Sequence, residues 1–300
     1  MADRIQINGG LQNDVFYNKE KNKIIRLSKS NKSELTILDE IKWMNFLYEN
    51  GIQLSKPYME IEKEDSRIKT SFEFIKGEQI EVANPFHWND CLFIQWGKIL
   101  GKMHALSKVY KVDDIHRPIW SVEDPDVFNI RKNLFPWLTV KYDSLMQSLY
   151  SFDISQISFG LIHNDFHQGN LIINTNGVIT VIDFDDCSYN WFAQDIAVAF
   201  YHAYWQHHSF NGNAYLFPYT FLNNFLKGYQ SENILHPDTV KQIPIFLKLR
   251  EIFLYQLFIK TWNLTNLEEW QKYTLNDLEN KIKNNIPYAG IIDFSIFTNK

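Results

Sequence analysis

Residues 161–187 read Leu-Ile-His-Asn-Asp-Phe-His-Gln-Gly-Asn-Leu-Ile-Ile-Asn-Thr-Asn-Gly-Val-Ile-Thr-Val-Ile-Asp-Phe-Asp-Asp-Cys. Two short apolar runs lie inside this stretch, Leu171 to Ile173 and Val178 to Ile182. Asn174, Asn176 and Gly177 separate them, and Asn and Gly accept the positive φ of a tight turn. The stretch therefore predicts a β-hairpin. An antiparallel hairpin brings its outer ends together. Asp165 and Asn170 stand before the first strand and Asp183 after the second, so the three should converge on one rim. Two carboxylates and an amide oxygen at one rim suit a hard cation such as Mg²⁺.

The spacing sharpens the reading. His163-x-Asp165, then Asn170, then Asp183-Phe-Asp185 resembles the catalytic loop and metal loop of the kinase fold. The form H-x-D-x-x-x-x-N with D-F-D, in place of H-R-D with D-F-G, resembles the aminoglycoside phosphotransferase and choline kinase-like family of small-molecule kinases. The resemblance implies roles for particular residues. Asp165 would orient the acceptor hydroxyl and take its proton. Asn170 and Asp183 would hold Mg²⁺ on the nucleotide phosphates. His163 would fix the loop backbone, and Asp195, in Gln-Asp-Ile-Ala, would brace the same loop from the start of the next helix.

Taken singly, Asp, Asn and Gly are ordinary turn residues. The joint pattern over residues 163–195 is what favours a functional reading. Three neighbours are read more plainly. His167 is expected as a hydrogen-bonded loop histidine and Asp186 as a solvated turn residue. Asp185 replaces the glycine of D-F-G and either stands behind the metal or is structural.

Outward from this stretch, the family resemblance continues. Lys23-Ile24-Ile25-Arg26 matches the strand carrying a phosphate-gripping cation, here Arg26. A planar guanidinium grips differently from the lysine point charge found in many relatives. Ser33 to Asn50 predicts a helix, with Ser33 as N-cap and Asn50-Gly51 as stop. Glu40 falls inside its apolar stripe of Ile37, Met44 and Leu47. A buried carboxylate needs a partner, and the family pairs this glutamate with the strand cation, so Glu40 is assigned to Arg26. The turn at Gly9-Gly10 matches the nucleotide loop by position only, since it carries no glycine-rich fingerprint.

Strands are expected near Tyr58 to Ile61 and Ile68 to Ile75, with Glu62 to Arg67 as a charged turn. Phe72 to Glu78 then resembles the hinge between lobes. Its backbone contacts to adenine would come from the Glu73 carbonyl and the Ile75 N–H. Helices are expected over Trp88 to Ser107, Val140 to Ser151, Pro218 to Gln230, Asp238 to Thr261 and Leu267 to Asn285. Residues 111–137, rich in Pro, Asp and Trp, read as an irregular insertion. After Asp195 runs an aromatic helix that includes His202, Trp205, His207 and His208. The histidines lack regular metal spacing, so packing is the expected role. In the family this half forms the acceptor pocket, and Tyr189, Trp191 and Trp205 are candidates to line it.

The resulting expectation is an α+β, bilobal protein-kinase-like fold. A small β-rich nucleotide-binding lobe spans residues 1–76, and a larger, mostly helical lobe spans residues 77–300 and carries the chemistry. The implied cofactors are Mg²⁺ and ATP (or GTP), and the implied partners are the nucleotide triphosphate and a small hydroxyl-bearing acceptor.

Composition agrees with an aromatic core: 23 Phe, 15 Tyr and 9 Trp in 300 residues. A net charge of −5 gives no expectation of nucleic-acid binding. Cys91 and Cys187 are too few for a disulfide framework. Ile243 to Ile259 is interrupted by Lys248, Arg250 and Glu251, which speaks against a membrane span. With no apolar signal segment at the start, a cytoplasmic protein is expected. Two other classes compete. A metal-dependent phosphoester hydrolase would build a dinuclear site from His163, Asp165, His167, Asp183 and Asp185. A nucleotide-binding module without catalysis would have no need to keep Asp165, Asn170 and Asp183 together.

Overall fold

The computed structural model describes residues 4–7, 13–28, 32–124, 135–212 and 215–297. The turn at Gly9-Gly10 lies outside them. Three strands open the chain: β1 (Arg4–Ile7), β2 (Asp14–Asn18) and β3 (Lys23–Leu27). Helix α1 (Glu34–Glu49) follows, and the Ser33 side chain accepts from the Thr36 N–H as its N-cap. Asn50 closes it, and Gly51 turns the chain at φ 81°. Strands β4 (Glu62–Glu64) and β5 (Arg67–Glu73) complete a five-stranded antiparallel sheet in the order β1-β2-β3-β5-β4.

The strand expected at Tyr58 to Ile61 sits instead at Glu62–Glu64, inside the expected charged turn. Asp65 and Ser66 both take positive φ, 50° and 64°, so two residues suffice for the hairpin. Glu62 then stands opposite Lys69 in register, and the Lys69 side chain pairs across the strands with Glu62 and Glu64, which supports the hairpin.

The chain leaves this sheet after Glu73 and enters a second one. Strand β6 (Glu78–Gln79) pairs with β8 (Leu171–Ile173), which pairs with β9 (Ile179–Val181). Gly77 stands at the crossing. A Cβ there would lie 2.6 Å from the Ile173 carbonyl oxygen, so only glycine lets the two backbones meet. Strands β7 (Phe159–Ile162) and β10 (Ser188–Trp191) form a third, two-stranded sheet. The sequence reading lacked β6, β7 and β10. They are two to four residues long, and β7 and β10 are joined only through the intervening hairpin and loops.

The remainder is helical: α2 (Asp90–Ser107), α3 (Pro136–Leu149), α4 (Phe192–Asn211), α5 (Phe217–Gln230), α6 (Pro237–Thr261) and α7 (Glu269–Lys283). Helix α2 lies directly on α5. A Cβ on Gly97 would fall 1.8 Å from the Phe225 carbonyl oxygen, so glycine sets that approach. The core between these helices is aromatic, with Trp96 edge-on to Phe166, Phe221 and Phe225. Among the described residues no helix is long and apolar enough to cross a membrane.

Candidate active site

The hairpin of β8 and β9 is closed as its sequence demands. The Asn174 Oδ1 accepts the N–H groups of Asn176 and Val178, and Gly177 takes φ 74°. At the open end the two motifs meet. The Ile182 N–H donates to the Asn170 carbonyl at 3.0 Å. The Asn170 amide nitrogen donates to the Asp165 carbonyl at 2.9 Å and lies 3.4 Å from its Oδ2. Asp165, Asn170 and Asp183 are thus gathered on one rim by backbone bonds.

Buried groups support this rim from below. Asp195, in the first turn of α4, accepts the His163 N–H at 3.0 Å and the Asn164 N–H at 2.6 Å. Both loop amides are buried, and the carboxylate satisfies them while favouring the positive end of its helix. His163 Nε2–H donates to the Ile182 carbonyl at 3.1 Å, tying the first motif to the second. His104 adds a layer that the sequence did not disclose. Its Nε2–H donates to Asp195 at 3.2 Å, its Nδ1 accepts from the Tyr229 hydroxyl at 2.9 Å, and its ring stacks on Phe192. Burial lowers its pKa, so it stays neutral.

Asp165 itself is held on both oxygens. Arg250 Nη2 donates to Oδ1 at 2.8 Å and His167 Nε2 approaches Oδ2 at 3.2 Å. The Gly169 N–H donates to His167 Nδ1 at 3.0 Å, which leaves the ring proton on Nε2 facing Asp165. Burial by itself would raise the Asp165 carboxyl. Arg250 and His167 outweigh it and keep the group well below the usual carboxylate range. Arg250 was visible in the sequence only as a charge interrupting an apolar helix.

Asp183 is different. It is exposed, sits at φ 62°, and makes no hydrogen bond or ion pair among the described residues. The surrounding protein mass raises its pKa, Arg26 opposes that, and the Asp185 charge adds to it. Asn170 Oδ1 likewise has no protein donor among the described residues. A free carboxylate and a free amide oxygen fit a hard divalent cation, with positions left for phosphate and water oxygens.

On the sheet side, Arg26 and Glu40 meet in a bidentate pair at 2.8 and 3.0 Å. Glu40 is 0% exposed and Arg26 5%. Arg26 also approaches Asp185 Oδ1 at 3.4 Å. Asp185 is further held by Lys32 at 2.6 Å and by the Asn13 amide at 2.9 Å. Its backbone carbonyl accepts from Arg117 Nη2 at 2.6 Å and from Lys32 at 3.0 Å. Asp185 is therefore a junction of fixed charges. At the exit from β5, the Glu73 carbonyl accepts the Ser55 hydroxyl at 2.7 Å, and the Ile75 N–H has no partner among the described residues.

Several expectations need correction. Asp186 is half-buried, not solvated, and burial together with the Asp165 charge raises its carboxyl to about 6. Trp191 is 0% exposed, edge-on to Phe159 and Trp120, and so belongs to the core, not to a pocket wall. Tyr189 lies in β10 opposite Leu161 and donates its N–H to the Pro118 carbonyl. Trp205 is half-buried beside His202 and Phe258, on the side of Arg250. His202 is packed as expected, buried and stacked on His167, and it also accepts from Arg250. The dinuclear hydrolase set does not form: His163 and His167 are bonded to the loop, and Asp185 to cations. Among the described residues no three His, Cys, Asp or Glu side chains group as a metal site.

Comparison with known proteins decides the family. The profile of the phosphotransferase enzyme family matches residues 3–229, and that span includes both motifs and Asp195. The chain belongs to this family. Amicoumacin kinase of Bacillus subtilis (strain 168) is 32% identical over 275 residues, covering 86% of this chain and 80% of that protein. A solved amicoumacin kinase, hAmiN in complex with AMP-PNP, Ca²⁺ and Ami, superposes with a TM-score of 0.87 at 26% identity, covering 99% of this chain and 92% of that one. A microcompartment-associated aminopropanol kinase shares the fold at a TM-score of 0.72 and 18% identity, over 96% of this chain and 93% of its own. The phosphotransferase described here is accordingly an ATP-dependent small-molecule kinase with a hydroxyl acceptor, built on the protein-kinase-like fold.

Proposed function

We propose that this phosphotransferase moves the γ-phosphate of Mg-ATP to a hydroxyl of an amicoumacin-like acceptor, with Asp165 as the base. The carrying observation is the contrast between two carboxylates on one rim. Asp165 is pinned on both oxygens, while Asp183 is exposed and unpaired among the described residues. A pinned carboxylate suits a group that must point at one acceptor oxygen. An open one, beside Asn170 Oδ1, suits a cation that arrives with its nucleotide.

When bound, the cation would neutralise charge on the β- and γ-phosphates. The chain's own residues do the remaining work. Arg26, fixed by Glu40, presents charge toward the phosphates. The Glu73 carbonyl and the Ile75 N–H offer an acceptor and a donor to the adenine edge. A lobe boundary at residues 76 and 77 is supported by the close approach of Gly77 to the Ile173 backbone. Asp165 orients the acceptor hydroxyl and receives its proton late, since phosphoryl transfer runs through a loose transition state dominated by positioning. The acceptor would enter between the catalytic loop and the α4–α6 wall, where His202, Trp205 and Phe258 lie. The substrates named for the amicoumacin kinases support this acceptor class.

The test is phosphate transfer from labelled ATP to amicoumacin, alongside a pool of amino alcohols and amino sugars, with products identified by mass. A phosphorylated amicoumacin formed only with Mg²⁺ or a substitute divalent ion supports the reading. Transfer to amino alcohols alone would refute the acceptor assignment.

A further inference from the structure

We infer that Arg250, anchored by His202, is the positioning residue that sets the rotamer of Asp165 for the acceptor hydroxyl. This rests on the reading of Asp165 as the base.

The geometry is a relay across three elements. Arg250 projects from α6 and Asp165 from the loop before β8. Their contact spans 85 positions of sequence and measures 2.8 Å from Nη2 to Oδ1. His202, on α4, accepts from Arg250 through its Nε2, at 3.2 Å from Nε and 2.7 Å from Nη2. Only a neutral imidazole can accept in that way, and burial together with the Arg250 charge keeps His202 neutral. The guanidinium also lies over the Phe253 ring, 5.1 Å from its centroid. The His202 ring in turn stacks on His167 at 4.6 Å, and His167 is the group on the other Asp165 oxygen. The two partners of Asp165 thus brace each other.

Burial separates the roles. The Arg250 side chain is 6% exposed and the Asp165 side chain 27%. The arginine is enclosed and the carboxylate is partly exposed. A guanidinium fork with two nitrogens fixed by His202 cannot follow a moving partner. It fixes the carboxylate instead. Orientation losses of this kind cost about 10²-fold in rate.

The experiment compares Arg250→Ala, Arg250→Lys and His202→Phe with the wild-type chain. The readings are Mg-ATP affinity, acceptor KM and kcat with amicoumacin, and the slow hydrolysis of Mg-ATP by water. The hydrolysis reports the same base without an organic acceptor. We expect Arg250→Ala to lose about 10²-fold in kcat, with Mg-ATP affinity and acceptor KM within about threefold of wild type. Added guanidinium ion should restore part of that kcat, and should do nothing for an Asp165→Asn, Arg250→Ala double variant. Arg250→Lys keeps charge and bulk and should fall between, which covers the case in which the alanine variant does not fold. His202→Phe should lower kcat less than Arg250→Ala, because Arg250 keeps Asp165 but loses its anchor. The inference is overturned if Arg250→Ala raises acceptor KM at constant kcat, which would make Arg250 a binding group. It is overturned equally if activity falls only in step with folded fraction and guanidinium restores none of it. A wild-type chain that hydrolyses Mg-ATP but ignores amicoumacin would refute the acceptor assignment alone, and the hydrolysis reading would still decide Arg250.

Discussion

Removing Glu40 should damage nucleotide use more than its distance from the chemistry suggests. Its carboxylate is 0% exposed and makes two bonds to Arg26, at 2.8 and 3.0 Å. Glu40→Ala leaves Arg26 buried with Asp185 as its remaining anion, at 3.4 Å. Breaking a buried pair from one side costs roughly 3–5 kcal/mol. Because Asp185 persists, the expected loss is at the lower end, about 3 kcal/mol. Arg26→Ala leaves the opposite orphan. Among the described residues Glu40 then has only Arg117, with Nη1 at 3.8 Å, so its loss should be at least as large. The double variant removes both charges and leaves neither orphan. Its loss should therefore fall short of the sum by about 1–3 kcal/mol, the usual coupling of residues in direct contact. The assay is a double-mutant cycle read twice, by urea unfolding and by KM for ATP. Additive losses in both readings would refute the claim that Glu40 acts by holding Arg26.

Other outcomes follow from the same geometry. Asp165→Asn should lower kcat by roughly 10² to 10⁴-fold and leave Mg-ATP affinity nearly unchanged, whereas Asp183→Asn should weaken Mg-ATP binding as well; calorimetric titration that shows equal losses would remove the division of roles. Trp205→Ala should raise acceptor KM, while Trp191→Ala should cost about 3–5 kcal/mol in unfolding with acceptor KM unchanged; a Trp191→Ala chain of wild-type stability would contradict its place in the core. Burial holds His104 below its ordinary pKa, so the unfolded chain binds that proton first, near pH 6.5. Its contribution is then complete above that pH and lost as pH falls, at up to about 1.4 kcal/mol per unit. His202 and His207 share the direction, so the useful quantity is the difference between wild type and His104→Gln in urea unfolding from pH 7.5 down to about pH 5.5. Equal slopes would show that His104 carries no such linkage.

Local chemistry explains what the sequence made legible. The hairpin could be read because its turn needed Asn and Gly at fixed places and its strands were apolar. Helix α1 could be read because Ser33 and Gly51 mark its ends, and Glu40 stood out as a charge in an apolar stripe. Asp195 and His163 could be placed only through the family resemblance, since nothing local says what a carboxylate will accept. The missing parts are those made by distant pairing. Strands β7 and β10 have no alternation of their own and exist because each satisfies the other's backbone. Arg117 sat in a stretch read as an irregular insertion, yet it is buried and donates to the Cys187 and Asp185 carbonyls, both at 2.6 Å. Arg250 lay in a helix whose charges read only as interruptions. A cation on a helix carries no local sign of the carboxylate it will meet 85 positions away.

Asp185 shows how a departure from the kinase pattern rearranges the site. Where D-F-G has a glycine, this chain has a carboxylate, and four groups converge on that residue. Asn13 and Arg26 reach its side chain, Arg117 reaches its backbone, and Lys32 reaches both. A glycine could accept only the backbone bonds. Arg26 consequently has two anions, Glu40 on α1 and Asp185 on the loop after β9, and it joins the sheet to the hairpin lobe through charge. Arg26 cannot leave Glu40 for a phosphate without exposing a buried carboxylate, so it works in place as part of a fixed field. Glu40 and Asp185 there each lie within 4 Å of cations, among Arg26, Lys32 and Arg117. Asp183 is left as the one carboxylate of the group without a direct cation partner among the described residues. In the proposed reading that unpartnered carboxylate is what the nucleotide's own divalent ion would meet.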